Sequence, residues 1–282
     1  SGVAMQSGRP SRTALGAAMH RAVHQTLEGG VIFADPYAMQ ILDDEARAAL
    51  PAMADDPGHR PMRLFIAARS RFSEETMAGC VARGVRQVVI LGAGLDTFSL
   101  RNPHAGVTVY EIDYPATQAW KRERLAQAGV ALPPSLTFAP VDFERQSLAE
   151  GLAAAGFCAD QPAYFQWLGV VPYLTGEAII ATLDFIASVE GAEVVFDYGE
   201  PFENFPPATR ADLTAIAERA AAIGEPWLSM FDPPDMTALM QARRFAEFED
   251  VSRAELAARY YGDLGKELRA GPGPHVVRAA SR

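Results

Sequence analysis

Two glycines and a pair of acids carry the most suggestive chemistry in this chain. Gly92 and Gly94 close the apolar run Gln87-Val88-Val89-Ile90-Leu91, and the next apolar run, from Val107 to Ile112, contains Glu111 and leads into Asp113. Glycine at both positions lets the backbone turn tightly and approach a ligand with no Cβ in the way. A helix opening behind that turn would offer free N–H groups to an acceptor. Acid at the end of the second strand, about twenty residues on, can accept from both hydroxyls of a ribose, so either Glu111 or Asp113 is a candidate. The third glycine of the dinucleotide fingerprint is missing, because Thr97 stands in its place. Close pyrophosphate binding thereby loses part of its support. A cofactor with a ribose and no pyrophosphate fits better, and S-adenosylmethionine is one.

The elements that must hold these residues follow from the periodicity. Strands are expected at 87–91, 107–112, 136–140, 162–168 and 192–197, separated by helices near 96–101 and at 114–128, 146–155 and 175–188. Such alternation gives an α/β fold, a Rossmann-like doubly wound parallel sheet. Ligands of such sheets bind beyond the carboxyl ends of the strands, so Gly92, Asp113, Asp142, Gln166 and Tyr198 are expected on one rim. Asp142-Phe143 pairs an acceptor with an aromatic face, which suits an adenine, although an Asp there can equally cap a helix.

Three helices precede the first strand, at 11–28 with Ser11 or Thr13 as cap, at about Tyr37–Leu50, and at about Met62–Ala82, with a loop at Pro51–Arg60. They are expected to form a cap, residues 1–82, over the cofactor edge of a core of residues 83–282. In the third helix Arg63, Arg69 and Arg71 stand out, at least one of them as part of a solvated face. His20 and His24, four apart, share a helix face, but no acid or cysteine is placed to complete a metal site, and no metal is expected. After the fifth strand, residues 199–231 interrupt the alternation with Glu200-Pro201-Phe202-Glu203-Asn204-Phe205-Pro206-Pro207, a helix at 208–222 and Gly224-Glu225-Pro226-Trp227, which reads as a lid insertion. A helix at Pro234–Arg243, a strand around Phe245–Phe248, a helix at Arg253–Tyr260 and a strand at His275–Ala279 complete the chain.

Composition excludes several classes. The chain has 282 residues, 49% of them hydrophobic, which is ample for a buried core. A net charge of −10 argues against a nucleic-acid partner, since phosphate binding needs clustered Lys and Arg. Cys80 and Cys158 show no metal or redox spacing and suit a reducing compartment. With no run long enough to span a membrane and no secretory signal pattern, the expected location is cytoplasmic.

The run Gln87 to Thr97 with Arg101, Tyr110-Glu111-Ile112-Asp113-Tyr114-Pro115, Val141-Asp142-Phe143 and Leu168-Gly169-Val170-Val171-Pro172-Tyr173-Leu174 resembles the leucine carboxyl methyltransferase family, in particular its bacterial S-adenosylmethionine-dependent O-methyltransferase branch. Arg12-Thr13, Asp35-Pro36-Tyr37, Gly224-Glu225-Pro226-Trp227 and Ala257-Ala258-Arg259-Tyr260-Tyr261 extend the resemblance over nearly the whole chain. It implies a class I methyltransferase sheet in which Arg69 pairs with the methionyl carboxylate, Gly92 and Gly94 lie against the cofactor backbone, Asp113 takes the ribose and Asp142-Phe143 the adenine. Many family members carry a glutamate before the glycine of the fourth-strand motif, where this chain has Leu168. Gln166 or a backbone carbonyl is then expected to accept from the cofactor's ammonium, or affinity is reduced. The implied reaction is methyl transfer to a carboxylate or hydroxyl of a small molecule or peptide. A carboxylate needs no base; a hydroxyl does, and Tyr173, Tyr198 and His24 are the candidates beside the substrate. The rival readings are an NAD-dependent oxidoreductase and a non-catalytic module on the same scaffold.

Overall fold

The computed structural model describes residues 10–281, so the first nine residues of the expected cap lie outside the described residues. Seven strands, β1 (Gln87–Leu91), β2 (Thr108–Asp113), β3 (Leu136–Pro140), β4 (Tyr164–Trp167), β5 (Glu193–Tyr198), β6 (Phe245–Ser252) and β7 (His275–Ser281), form one sheet in the order β3-β2-β1-β4-β5-β7-β6. The first five pair in parallel, whereas β7 runs antiparallel between β5 and β6. β1, β4 and β5 are buried along their whole length, which is why their sequences are mostly apolar, broken only by Gln87, Gln166, Glu193 and Asp197.

Alternate side chains feed two cores. Val88, Ile90, Tyr164 and Val195 pack with Phe65, Ala68, Phe72 and Met77 of α3 (Arg60–Ala82) and Leu256 of α10 (Arg253–Tyr260). On the other face Val89, Leu91, Phe165, Trp167 and Phe196 pack with Leu152 of α6 (Leu148–Ala154), Ile179 and Leu183 of α7 (Gly176–Ser188) and Met236 of α9 (Pro233–Gln241). The third helix is therefore a layer of the sandwich. A third cluster joins α1 (Arg12–Leu27) and α2 (Asp44–Asp55) to Leu95, Leu100 of α4 (Phe98–Arg101) and Leu125 of α5 (Pro115–Gln127).

α1 starts as expected, with the Ser11 hydroxyl accepting from the Ala14 N–H. The second helix does not begin at Tyr37. The Asp35 carboxylate accepts from the Tyr37 N–H, residues 37–42 form turns, and α2 starts only where Asp43 caps the Ala46 N–H; it then runs through Pro51, which was expected to open a loop. β6 extends to Ser252 because β7 pairs along its length. No described helix is long and apolar enough to cross a membrane.

The insertion, which contains α8 (Pro207–Ala222), is rooted beside the sheet edge. The Phe231 N–H donates to the Gly199 carbonyl, joining the two stems. His275, buried at the start of β7, hydrogen-bonds to Asp250 through Nδ1 (2.8 Å) and to Glu200 through Nε2 (2.9 Å), and stacks on Tyr198. Carboxylates only accept, so both bonds are made fully by the doubly protonated ring. Burial alone would lower this pKa, but the bonds to Asp250 and Glu200 and their charges raise it. A raised folded value means that the stabilisation is complete below about pH 6.5 and is lost as pH rises through the folded pKa. Denaturant midpoints should thus decline toward alkaline pH by an increment that His275→Gln lacks. Parallel pH profiles for the two proteins would show this cluster to be electrostatically idle.

Candidate functional site

Beyond the carboxyl ends of β1, β2 and β4 lies a cavity of about 540 Å³. Its floor is the loop after β1. Gly92 and Gly94 both have positive φ, 63° and 49°, and both are crowded: a Cβ on Gly92 would come within 2.7 Å of Val170 Cγ2, and one on Gly94 within 3.0 Å of Ala14 Cβ. The Asp113 carboxylate clamps this loop, accepting from the Gly94 N–H through Oδ2 (2.7 Å) and from the Tyr114 N–H through Oδ1 (2.8 Å). Burial raises the Asp113 pKa, and those two N–H groups oppose the shift.

The helix behind the loop does not present the free N–H groups expected of it. The Asp96 carboxylate accepts from the Phe98 N–H through Oδ1 (2.8 Å), setting a negative group at the start of the short helix, where an anionic ligand would otherwise be favoured. Thr97 is buried with its hydroxyl accepting from Arg101 Nε.

Arg69 lines the cavity, with Nη1 donating to Asp197 Oδ2 (3.0 Å), while Asp197 Oδ1 accepts from the Gly169 N–H (2.7 Å). The other two arginines of α3 point elsewhere: Arg63 is buried in a two-pronged pair with Glu28, and Arg71 pairs with Glu75 and lies over Tyr260. Phe143, 48% exposed, stands at the mouth edge-on to Tyr114 at 6.0 Å. Gln166 lines the cavity, yet both ends of its amide are engaged: Oε1 accepts from Ser73 (2.7 Å) and Nε2 donates to Asp96 (3.1 Å). The carboxylate facing the cavity in this region is therefore that of Asp96.

Four expected residues are turned away from the cavity. Glu111 is buried against Lys121, whose Nζ donates to its Oε1 (2.7 Å), because its side chain projects to the α5 face of β2. Asp142 accepts from the Glu144 N–H (3.0 Å) within a turn, and caps no helix, since Ser147 caps α6. The Tyr198 hydroxyl donates to Asp250, and burial, then that bond, raises its pKa, so it faces the β6 edge rather than the cavity. His24 donates to Glu28 (2.9 Å) from Nδ1 and accepts from the Ile32 and Phe33 N–H groups at Nε2, leaving no free ring nitrogen for a base. Among the described residues there is no cluster of three or more His, Cys, Asp or Glu arranged to hold a metal.

The roof comes from the N-terminal helix and the insertion. Arg21 of α1 donates from Nη2 to the Leu95 carbonyl (2.8 Å), tying the helix to the loop. Glu225 of the insertion lines the cavity and accepts from the Arg12 N–H, the Thr13 N–H and the Thr13 hydroxyl. Trp227 Nε1 donates to the Tyr173 hydroxyl (3.3 Å), and Leu228 and Ser229 donate to the Pro172 carbonyl. Asp96, Arg21, Thr13 and Glu225 were not singled out as site residues. Arg12-Thr13 and Gly224-Glu225-Pro226-Trp227 were visible as motifs, but their meeting across 212 residues was not.

This sheet order with a clamped glycine loop beneath a two-part roof is that of a class I methyltransferase. The fold is shared with a DUF574 family protein from Streptomyces avermitilis (TM-score 0.59, 13% identity, 95% of this chain and 97% of that one) and with a methyltransferase-like structure from Thermobifida fusca (0.59, 14%, 98% and 97%). In sequence, YktD of Bacillus subtilis (strain 168), named for S-adenosyl-L-methionine-dependent methyl transfer, is 30% identical over 220 residues, 76% of this chain and 72% of YktD. A Mycobacterium avium (strain 104) protein named for the same activity is 32% identical over 297 residues, 96% of this chain and 94% of its own. Residues 14–187 match the model of the leucine carboxyl methyltransferase family, and the chain belongs to that family. It is an S-adenosylmethionine-dependent methyltransferase.

The geometry of the floor makes one expectation concrete. Gly92→Ala combines a left-handed φ with a 2.7 Å contact to Val170 and should destabilise the protein by about 1–3 kcal/mol in chemical denaturation. An unchanged midpoint would mean that the loop accepts another path.

Proposed function

We propose that this enzyme is an O-methyltransferase whose acceptor is a carboxylate or hydroxyl of a small molecule or peptide, and that the cavity holds S-adenosylmethionine against the β1–β2–β4 rim. The observation that carries the reading is the clamped loop: two glycines without room for a Cβ, closed by Asp113, with an Asp96 cap that disfavours a pyrophosphate. The donor set fits the cofactor part by part. Arg69, held in place by Asp197, presents a guanidinium that can hold the methionyl carboxylate in a two-pronged pair. Asp96 takes the ammonium in place of the acid that Leu168 does not supply. Asp113, whose oxygens keep lone pairs beyond the two backbone bonds, takes the ribose. Phe143 and Tyr114 flank the adenine.

When bound, the cofactor supplies a methyl group already activated by its sulfonium, so the protein's work is alignment and exclusion of water. α1 and residues 199–231 are the covering elements of this scheme, joined by Glu225 and seated on Tyr173 through Trp227. Tyr173 is the wall residue nearest in chemistry to an acceptor contact; burial raises its pKa, so it meets an acceptor as the neutral phenol.

Titration calorimetry with S-adenosylmethionine, S-adenosylhomocysteine and NAD tests the reading, with binding of the first two and none of NAD expected. Asp113→Ala should lose about 2 kcal/mol of cofactor affinity while unfolding remains cooperative. Full affinity in that variant would remove Asp113 from the site. Arg69→Lys should also bind more weakly, because an ammonium cannot form the forked pair; if Arg69→Ala binds normally, the carboxylate is held elsewhere.

A further inference from the structure

Behind the cavity floor, three successive residues of the loop after β1 are each held by a different cation. The Leu95 carbonyl accepts from Arg21 Nη2 of α1 (2.8 Å), the Asp96 carbonyl from Lys121 Nζ of α5 (2.6 Å), and the Thr97 hydroxyl from Arg101 Nε of α4 (3.0 Å). All three cations are largely buried, and a buried cation needs an acid beside it. Lys121 has Glu111 (2.7 Å), and Arg101 has a two-pronged pair with Glu74 (2.9 and 3.0 Å). Arg21 is paired at longer range, with Asp35.

Asp35 stands between Arg21 and Arg101. Its Oδ2 is 3.8 Å from Arg21 Nε and its Oδ1 3.6 Å from Arg101 Nε, and the carboxylate is fully buried. Both separations exceed a hydrogen bond, so the acid acts on the two arginines by its charge. Its own hydrogen bonds are local: Oδ1 accepts from the Tyr37 N–H (3.0 Å), and the Asp35 N–H donates to Gln25 Oε1 on α1 (3.0 Å). Among the described residues, Oδ2 accepts no hydrogen bond. Burial lowers the Arg21 pKa, the charges of Asp96 and Asp35 oppose that shift, and those of Arg69 and Arg101 add to it. Removing the Asp35 charge leaves the repulsion between Arg21 and Arg101 less compensated. Moving either arginine away from the other gives up its bond to Leu95 or Thr97.

We propose that Asp35 is a positioning residue for the cofactor: by holding Arg21 and Arg101 it fixes residues 95–97, and so sets where the Asp96 carboxylate meets the cofactor's ammonium. This rests on the reading of Asp96 given above. Asp96 lines the cavity, whereas Asp35 and Arg101 do not, so their influence on the ligand passes through the loop. That influence is confined to one part of the cofactor. The ribose and adenine fall to Asp113, Tyr114 and Phe143, and Asp113 grips the loop at Gly94, ahead of the braced residues. Loss of the Asp35 charge therefore acts on the amino-acid end of the ligand and spares the nucleoside end. The Asp35-Pro36-Tyr37 motif thereby gains a role in ligand binding without touching the ligand.

The test uses the full chain and two ligands in titration calorimetry: S-adenosylhomocysteine, and 5′-methylthioadenosine, which keeps the nucleoside and the thioether but lacks the amino-acid end. Asp35→Asn keeps an oxygen for the Tyr37 N–H and removes the charge. Because a small displacement of a positioned group is costly, this variant should bind S-adenosylhomocysteine about tenfold more weakly or worse, with methylthioadenosine unchanged. Equal losses for both ligands, or no loss for S-adenosylhomocysteine, overturn the proposal. A double-mutant cycle decides the matter on S-adenosylhomocysteine alone. If Asp35 acts through Asp96, Asp35→Asn costs little further affinity once Asp96→Asn is in place, and additive losses overturn the assignment. Arg101→Gln, which releases Thr97 from the other side, carries the same two measurements should Asp35→Asn fail to fold, and the same outcomes decide. Failure of S-adenosylhomocysteine to bind the wild-type protein, or full affinity in Asp96→Asn, would instead strike the underlying reading of the cavity.

Discussion

The bond from the Gly94 N–H to the Asp113 carboxylate, 2.7 Å long, is the constraint on which the site depends. It joins the loop after β1 to the end of β2, so the register of the two parallel strands fixes where the loop can lie. Gly94 approaches α1 so closely that a methyl group would touch Ala14, and the helix can be seated there only because that side chain is absent. From the same loop Asp96 reaches back to cap its own short helix and forward to Gln166 on β4. One carboxylate thus orders the floor, and the floor orders the roof.

The roof is built from two segments that meet at Glu225. α1 leaves orphan N–H groups at its start, as every helix does, and the insertion brings a buried carboxylate that needs donors. Glu225 satisfies both demands at once, with the helix dipole adding to the attraction. The root of the insertion is fixed separately by His275 between Glu200 and Asp250. The insertion is therefore pinned at its base by an ion cluster on the sheet edge and at its far end by a helix cap over the cavity. The second of these contacts is the one beside the cavity.

Much of this was legible in the chain alone, for local reasons. Predominantly apolar runs of strand length, glycines at 92 and 94, and acids at the end of the second run mark a doubly wound sheet and a ribose-bearing cofactor, because strand burial and left-handed turns restrict residue choice at the positions themselves. The motifs also pointed to the methyltransferase family that residues 14–187 match. Partner choice could not be read in this way. Glu111 and Asp113 are equally acidic and share a face of β2, and only their place along the strand, one set back against Lys121 of α5 and the other at the carboxyl end beside Gly94, tells them apart. Arg63, Arg69 and Arg71 share a helix, but the packing of α3 on the sheet turns Arg63 toward Glu28 and Arg69 toward Asp197. Tyr198 ends β5 and Asp142 follows β3 as expected of rim residues, yet a carboxylate on β6 and a backbone amide claim them. Thr13 and Glu225 meet across 212 residues. The sheet, the loop and the kind of cofactor follow from local periodicity and backbone conformation, and so can be read along the chain; which polar groups face the cavity depends on packing, because a buried donor or acceptor is assigned by the nearest partner in space and not by its neighbours in the chain.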